Sequence, residues 1–329
     1  PAIPGAALGE CLSIASRLAR IVARYAALEG CDCVLLSGGI DTSFVATAVA
    51  AHAPGLVRLA VSVLPEGSPD EAYAHRVSEA LGLRLAALRP STPGFRAAVD
   101  ASLVALGIVD PVEVAGAAGA ALGLAAARSE GCGCVLTGDG GDELFLGYEF
   151  LLNAGPREIG EWRARMTGGG AHFVVDDLAG VLGVRVCHPL YSPEARLVAR
   201  EAPLECLISR GPGGSRVGKY LLRLYLDAMG LPWVAWRGKT PITMGSGALG
   251  LLEGLARGSR PVEGWEPSEA HAYLMARMLD LGLEPPGPCP DPGRRCPVCG
   301  RCLEGGRCRF CGAYLGGGGV SVYRGQPRR

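Results

Sequence analysis

Residues 34–47 run Val-Leu-Leu-Ser-Gly-Gly-Ile-Asp-Thr-Ser-Phe-Val-Ala-Thr, an apolar stretch, a Ser-Gly-Gly turn with an acid two positions on, then a helix-like segment. A loop entering a helix in this way presents unpaired backbone N–H groups at the positive end of the helix dipole, and its glycines let a polyphosphate approach the main chain. Ser37, Gly38, Gly39, Asp41 and Thr42 are the expected cradle. Asp41 has a separate task, because a carboxylate beside phosphates is best used to hold the Mg²⁺ that bridges them.

A second segment answers the first. Cys31-Asp-Cys-Val-Leu-Leu-Ser-Gly-Gly aligns without gaps on Cys132-Gly-Cys-Val-Leu-Thr-Gly-Asp-Gly, and both read as buried parallel strands. If they are neighbours in one sheet, their carboxyl ends bring Ser37–Asp41 and Gly138–Glu143 to one crevice, where open α/β sheets bind ligands. Gly138-Asp-Gly-Gly-Asp-Glu143 then adds three acids to a phosphate site. That number suits metal binding plus one carboxylate for proton or amine work.

These blocks resemble the synthetase domain of asparagine synthetase, within the PP-loop (N-type ATP pyrophosphatase) group. Ser37-Gly-Gly-Ile-Asp-Thr-Ser43 resembles the family's pyrophosphate loop, and Val61-Ser-Val with Ser68-Pro-Asp-Glu-Ala-Tyr-Ala74 its next strand and helix. Leu136–Tyr148 resembles its acidic motif, and Gly218-Lys-Tyr-Leu-Leu-Arg223 and Arg237-Gly-Lys-Thr-Pro241 its two late basic blocks. Asp139 stands where the family usually has Glu, and His188-Pro-Leu-Tyr-Ser192 lacks the acid of the matching family run. The resemblance implies an α/β PP-loop fold, ATP bound across Ser37–Thr42 with Gly138 beside it, and Mg²⁺ held by Asp41 and Asp142. It implies Asp139 at the incoming amine, with Lys219 and Lys239 completing the catalytic set. Aspartate is then the default acyl substrate, activated as an acyl-adenylate. No glutaminase module is expected ahead of the loop, so ammonia would be free or come from a separate protein.

Composition bears on the late blocks. The chain has thirty Arg and two Lys, Lys219 and Lys239, both inside matching blocks. A compact ammonium on a flexible stem can follow a migrating phosphoryl charge, whereas Arg is a rigid fork. Gly213-Gly-Ser-Arg-Val-Gly-Lys-Tyr220 nearly spells a Walker A loop, but Tyr220 replaces the Ser/Thr that would meet Mg²⁺. Gly245-Ser-Gly-Ala-Leu-Gly250 lacks the acid a dinucleotide fold needs roughly twenty residues on, and reads as a loop near the phosphates or a turn. His52, His75, His172, His188 and His271 show no metal spacing and read as structural or surface residues. Trp233 and Trp236 read as core, with a place in a nucleotide pocket as the lesser reading.

With 329 residues and 49% hydrophobic content the chain can form one large α/β domain plus a small module, and its formal net charge is zero. Ala115–Ala127 is Ala/Gly-rich and too short to span a bilayer, so it reads as a buried helix. Pro1–Glu10 lacks signal-peptide features, which makes the cytoplasm the default. Asn153 and Gln326 are the only side-chain amides, a thermophile's pattern. Cys31, Cys33, Cys132 and Cys134 read as buried hydrophobes, with a disulfide or sulfur relay as the lesser reading.

The character changes near residue 284. Residues 1–283 form the synthetase-like domain, 284–293 a Pro-rich linker preceded by a helix capped at Ser268, and 294–329 a zinc ribbon with a basic tail. Cys296-x₂-Cys299 and Cys308-x₂-Cys311, each followed by Gly, have the knuckle spacing for a tetrahedral Zn²⁺. Cys296, Cys299 and Cys302 also resemble part of an iron–sulfur ligand run, and Cys289 is a further candidate nearby. Arg294, Arg295, Arg301, Arg307, Arg309, Arg324, Arg328 and Arg329 could clamp tRNA phosphates, or belong to a protein-docking or solvated surface. Two other functions stay open, a tRNA-modifying PP-loop enzyme that adenylates a nucleobase, and a nucleotide-binding regulator.

Overall fold

The computed structural model describes residues 5–238, 247–316 and 318–325. Helix α1 (Gly5–Leu28) leads into a βα series: β1 (Cys33–Leu35), α2 (Ile40–His52), β2 (Leu59–Val63), α3 (Glu71–Ala80) and β3 (Arg84–Leu88). Then α4 (Thr92–Leu106) and α5 (Pro111–Ser129) carry the chain back across the sheet to β4 (Val135–Leu136), the short helix α6 (Gly141–Leu144) and finally β5 (Val186–Cys187). The five strands lie in the order β3-β2-β1-β4-β5, all parallel, with Cys33 level with Leu59 on one side and Val135 on the other.

The apolar runs of β1, β2 and β4 are what a sheet covered on both faces requires. Val34 faces a core shared with α1, α2 and the helix Tyr220–Ala228. Cys33 faces the other core, with α4, α5 and the helices Val174–Leu182, Ala248–Ala256 and Glu269–Asp280. The Ala/Gly composition of α5 lets it lie close to β1, where a Cβ on Gly123 would come within 3.0 Å of Leu35. The chain winds outward from β1 in one direction and from β4 in the other. A crevice therefore opens between their carboxyl ends, at the switch point where such folds bind ligands. The expected α/β parallel-sheet fold is present. Among the described residues no single helix is long and apolar enough to cross a membrane.

The central cysteines require a correction. They are buried, but they pair as Cys31–Cys134 and Cys33–Cys132, so the disulfide outranks the free buried thiol. The reason is the strand order: β1 and β4 are hydrogen-bonded neighbours, and the thiols at their entrances lie within bridging reach. Cys11–Cys206 ties α1 to the turn Leu204–Leu207, and Cys289–Cys302 closes the segment around the ribbon. The decoy at Gly213–Tyr220 is a hairpin, Ser209–Arg210 against Arg216–Val217, with no phosphate loop in it. Ser268 caps Glu269–Asp280 as expected, accepting from the N–H of His271.

Candidate active site

The Ser-Gly-Gly turn hands β1 to α2 through Gly39, a cap with no side chain over the helix's first N–H groups. Ser37 and Thr42 brace the turn from inside. Their hydroxyls are 3.1 Å apart, Ser37 N donates to Thr42 Oγ1 and Gly39 N to Ser37 Oγ. Gly38 sits at φ +72°, and a Cβ there would strike Ala74 N and Tyr73 Cβ at 2.6 Å, so α3 packs on bare backbone.

Asp41, in the first turn of α2, is half-buried and meets the buried Lys219 across 178 residues of sequence, with Lys219 Nζ donating to Asp41 Oδ2 at 2.5 Å. The same ammonium lies 3.0 Å from Asp142 Oδ2 at the start of α6. Burial pushes the Asp41 carboxyl up to about 6, against the pull of Lys219 and with the push of Asp142 and Glu143. For Lys219 burial opposes the charge, but the two carboxylates outweigh it and hold its pKa above the ordinary value. Lys219 occupies the left-handed region at φ +55°, with its N–H donated to Phe145 O at 2.7 Å. A non-glycine residue there costs about 1–3 kcal/mol, which the two ion pairs of the buried ammonium offset. Asp41 Oδ1 is buried with no hydrogen-bond partner among the described residues, as a carboxylate with a cation still to meet would be.

Arg237, the first residue of the second basic block, reaches the loop directly. It donates to Gly38 O at 2.7 Å and to Asp70 Oδ1 at 2.8 Å, and its guanidinium lies 3.8 Å above the Tyr73 ring. Buried Arg223 donates to the carbonyls of Gly218, Ala235 and Arg237, joining the turn that carries Lys219 to the one that carries Arg237. Neither arginine stands out in a sequence where Arg is the common cation. Lys239 lies outside the described residues. Trp233 stacks under Arg76, and Trp236 donates to Asp227.

Gly138 abuts Asp41 and Thr42, and a Cβ on it would come within 2.9 Å of each. Next to it, Asp139 accepts from Thr137 Oγ1 at 2.7 Å and lies 3.3 Å from His188 Nδ1, while His188 Nε2 lies 2.9 Å from Asp176 Oδ1. His188 thus adjoins the acid motif, where sequence spacing gave no sign of it. Its partners come from the end of β4 and from Val174–Leu182, which only the fold brings together. Burial raises Glu143, opposed by the hydrogen bond from Tyr148. The crevice therefore joins the Ser37–Thr42 turn, Asp41, Asp142 and Lys219 in one cluster, with Asp139 at its flank.

The cysteine quartet is a separate centre. The sulfurs of Cys296, Cys299, Cys308 and Cys311 all lie within 4.8 Å of one another, with 3.8 Å between Cys296 and Cys311 and 3.5 Å between Cys299 and Cys308. Tetrahedral Zn–S bonds of about 2.3 Å place sulfurs about 3.8 Å apart, so the quartet fits that ion. Gly300 and Gly312, both at φ +75°, turn each knuckle and donate to the carbonyls of Cys296 and Cys308. Cys289 and Cys302 are excluded from the ligand set by their own disulfide. The ribbon rests on the start of α5: Val109 N donates to Phe310 O at 2.8 Å, and Arg307 reaches Asp110 and Glu113. Four of its other arginines also have protein partners, Arg294 on Leu303 O, Arg295 on Cys289 O, Arg301 on Glu263 and Arg309 on Glu304.

Against known families, residues 13–173 match the family described as asparagine synthase. No curated protein matches the chain. The matched segment holds the Ser37–Thr42 turn, Asp70 and the acid motif, and stops before Lys219 and Arg237. For those two, geometry makes the connection, since both are bonded to residues of the matched part.

Proposed function

We propose that the protein is an ATP-dependent amide-forming synthetase that adenylates a small carboxylate, by default aspartate, and transfers the acyl group to ammonia or an amine. The asparagine synthase match supports the class. The observation that carries the reading is the Asp41–Lys219–Asp142 triad around a buried ammonium, which gathers three distant blocks at the mouth of the Ser37–Thr42 turn.

A carboxylate is a poor acyl donor, and adenylation gives it a leaving group. The substrate carboxylate oxygen bonds to the α-phosphorus of ATP as the bond to the bridging oxygen of pyrophosphate breaks. The N–H groups of the Ser37–Thr42 turn and the Lys219 ammonium stabilise the charge that gathers on the departing group. Asp41 and Asp142 would hold Mg²⁺, which supplies further countercharge when bound, and the unpaired Asp41 Oδ1 suits that task. Lys239 completes the cationic set. In the second half the amine nitrogen attacks the acyl carbon and AMP leaves, with Asp139 positioning the amine and taking its proton.

The alternative of tRNA modification draws on the ribbon arginines, but four of them already donate to acceptors of the protein itself and Arg309 is ion-paired with Glu304. The deciding experiment is ATP–pyrophosphate exchange with Mg²⁺, run with aspartate, a panel of carboxylates and bulk tRNA. Exchange that depends on a small carboxylate is the expected outcome. Exchange that requires tRNA and ignores every small acid would replace this reading with nucleobase adenylation.

A further inference from the structure

The adenylation chemistry has no use for His188 or Asp176, yet a continuous polar file runs through them from the acid motif towards the surface. Thr137, just past β4, donates to Asp139 Oδ2 at 2.7 Å and lies 2.6 Å from His188 Nδ1. The other edge of the ring, Nε2, lies 2.9 Å from Asp176 Oδ1. The imidazole is 13% exposed, whereas the Asp176 side chain beyond it is 53% exposed. The Phe173 ring packs beside the imidazole, centroids 4.9 Å apart. Among the described residues, the charged groups facing His188 are Asp139, from the loop after β4, and Asp176, from Val174–Leu182.

We propose that Thr137, His188 and Asp176 form a proton exit for the amine half-reaction, leading to solvent the proton that Asp139 takes from the nucleophile; this rests on the synthetase reading above. As the C–N bond forms and the C–O bond to AMP breaks, one N–H bond must also break, its electron pair staying on nitrogen. That proton goes to Asp139. Asp139 passes it to Thr137 Oγ1 as the hydroxyl gives its own proton to Nδ1, and the resulting imidazolium releases a proton to water at its Asp176 edge. A threonine hydroxyl carries one proton and serves one neighbour at a time, so its swing between Asp139 and His188 gives the path two states. His188 touches no substrate and acts through Asp139.

The path accepts a proton only while His188 is neutral. Burial works against the imidazolium, but Asp139 and Asp176 outweigh it and raise its pKa above that of ordinary histidine. Amide formation should therefore fall as pH drops through that raised value. Wild type, His188→Asn and Asp176→Asn are compared over a pH series with ATP, L-aspartate and ammonium chloride. Pyrophosphate exchange reads adenylation, and asparagine formation reads the whole reaction. Both variants should keep exchange within about twofold of wild type, while His188→Asn loses roughly tenfold or more in asparagine formation. Asp176→Asn, at a side chain that is 53% exposed, should move the acid limb to lower pH, because it removes one of the carboxylates that raise His188. Ammonia's own titration is common to all three enzymes and cancels. Unchanged asparagine formation and an unmoved limb in both variants would overturn the exit path, as would parallel loss of exchange and amide formation. No exchange in the wild type with aspartate or any other small carboxylate would instead overturn the synthetase reading itself.

Discussion

Lys219 holds apart two carboxylates that would otherwise repel each other inside the protein. Removing one partner of a buried ion group costs about 3–5 kcal/mol, so Lys219→Met should melt well below wild type and lose pyrophosphate exchange. Mg²⁺ should then raise the melting temperature of the variant more than that of wild type, since Asp41 and Asp142 are left in want of a cation; equal responses would count against metal binding by this pair. Gly147→Ala tests the fit around them. Its Cβ would lie 2.0 Å from Lys219 Cε and 2.2 Å from Asp142 Oδ1, whereas a Cβ on Gly213 would meet nothing within 4 Å. Gly147→Ala should abolish exchange and Gly213→Ala should leave it unchanged. Arg237→Lys should raise the KM for ATP, because one ammonium cannot serve a carbonyl, a carboxylate and an aromatic face together. At this scale the cradle and its acids were legible, since their chemistry is packed into a few consecutive positions. Lys219 was legible through its rarity, and Arg237 was hidden by the abundance of its kind. His188 stood in the sequence only as the first residue of a run set against a family block, because its hydrogen-bond partners come from the loop after β4 and from the helix before β5, an assembly that leaves no spacing to read.

At the level of elements, the disulfides Cys31–Cys134 and Cys33–Cys132 are nested, spanning 103 and 99 residues between the same two strand entrances. Nesting makes their effects unequal. With one bridge removed the long loop stays closed by the other, so Cys33→Ala/Cys132→Ala should cost about 2 kcal/mol in denaturant unfolding. Removing all four thiols frees the long loop and should cost about 4–5 kcal/mol more. Two equal steps would contradict the nesting. The adjacency of β1 and β4 was readable from the gapless match of their sequences, but the pairing was not. Alignment sets Cys31 beside Cys132 and Cys33 beside Cys134, while the bridges join each residue to the other's counterpart. Which thiols meet depends on where each side chain points at a strand entrance, and an alignment carries no such direction.

For the molecule as a whole, the ribbon is joined to the body at its core. Cys296, Cys299, Cys308 and Cys311 share one buried apolar cluster with α4 and α5, and His271 contacts Cys311 O from the helix Glu269–Asp280. A segment this short has little apolar mass of its own, so the metal should supply much of its stability. Purified protein should carry one zinc per chain, and its removal by a chelator should lower the melting temperature of the entire molecule; an unmoved transition would show the ribbon to be an independent appendage. With metal removed and no reductant added, thiol titration of the unfolded chain should count five free cysteines of thirteen. The change of character near residue 284 was plain in the prolines and cysteines. The seat on α5 was not, because it depends on Asp110, an ordinary helix cap until Arg307 and Gly312 are laid against it. Finally, one bridge between two strands acts as a pivot, but two forbid both sliding and swivelling. Under heat, digestion by a protease without reductant should strip the outer helices first and leave a cross-linked remnant of two peptides, so that the crevice is the last part of the molecule to come apart.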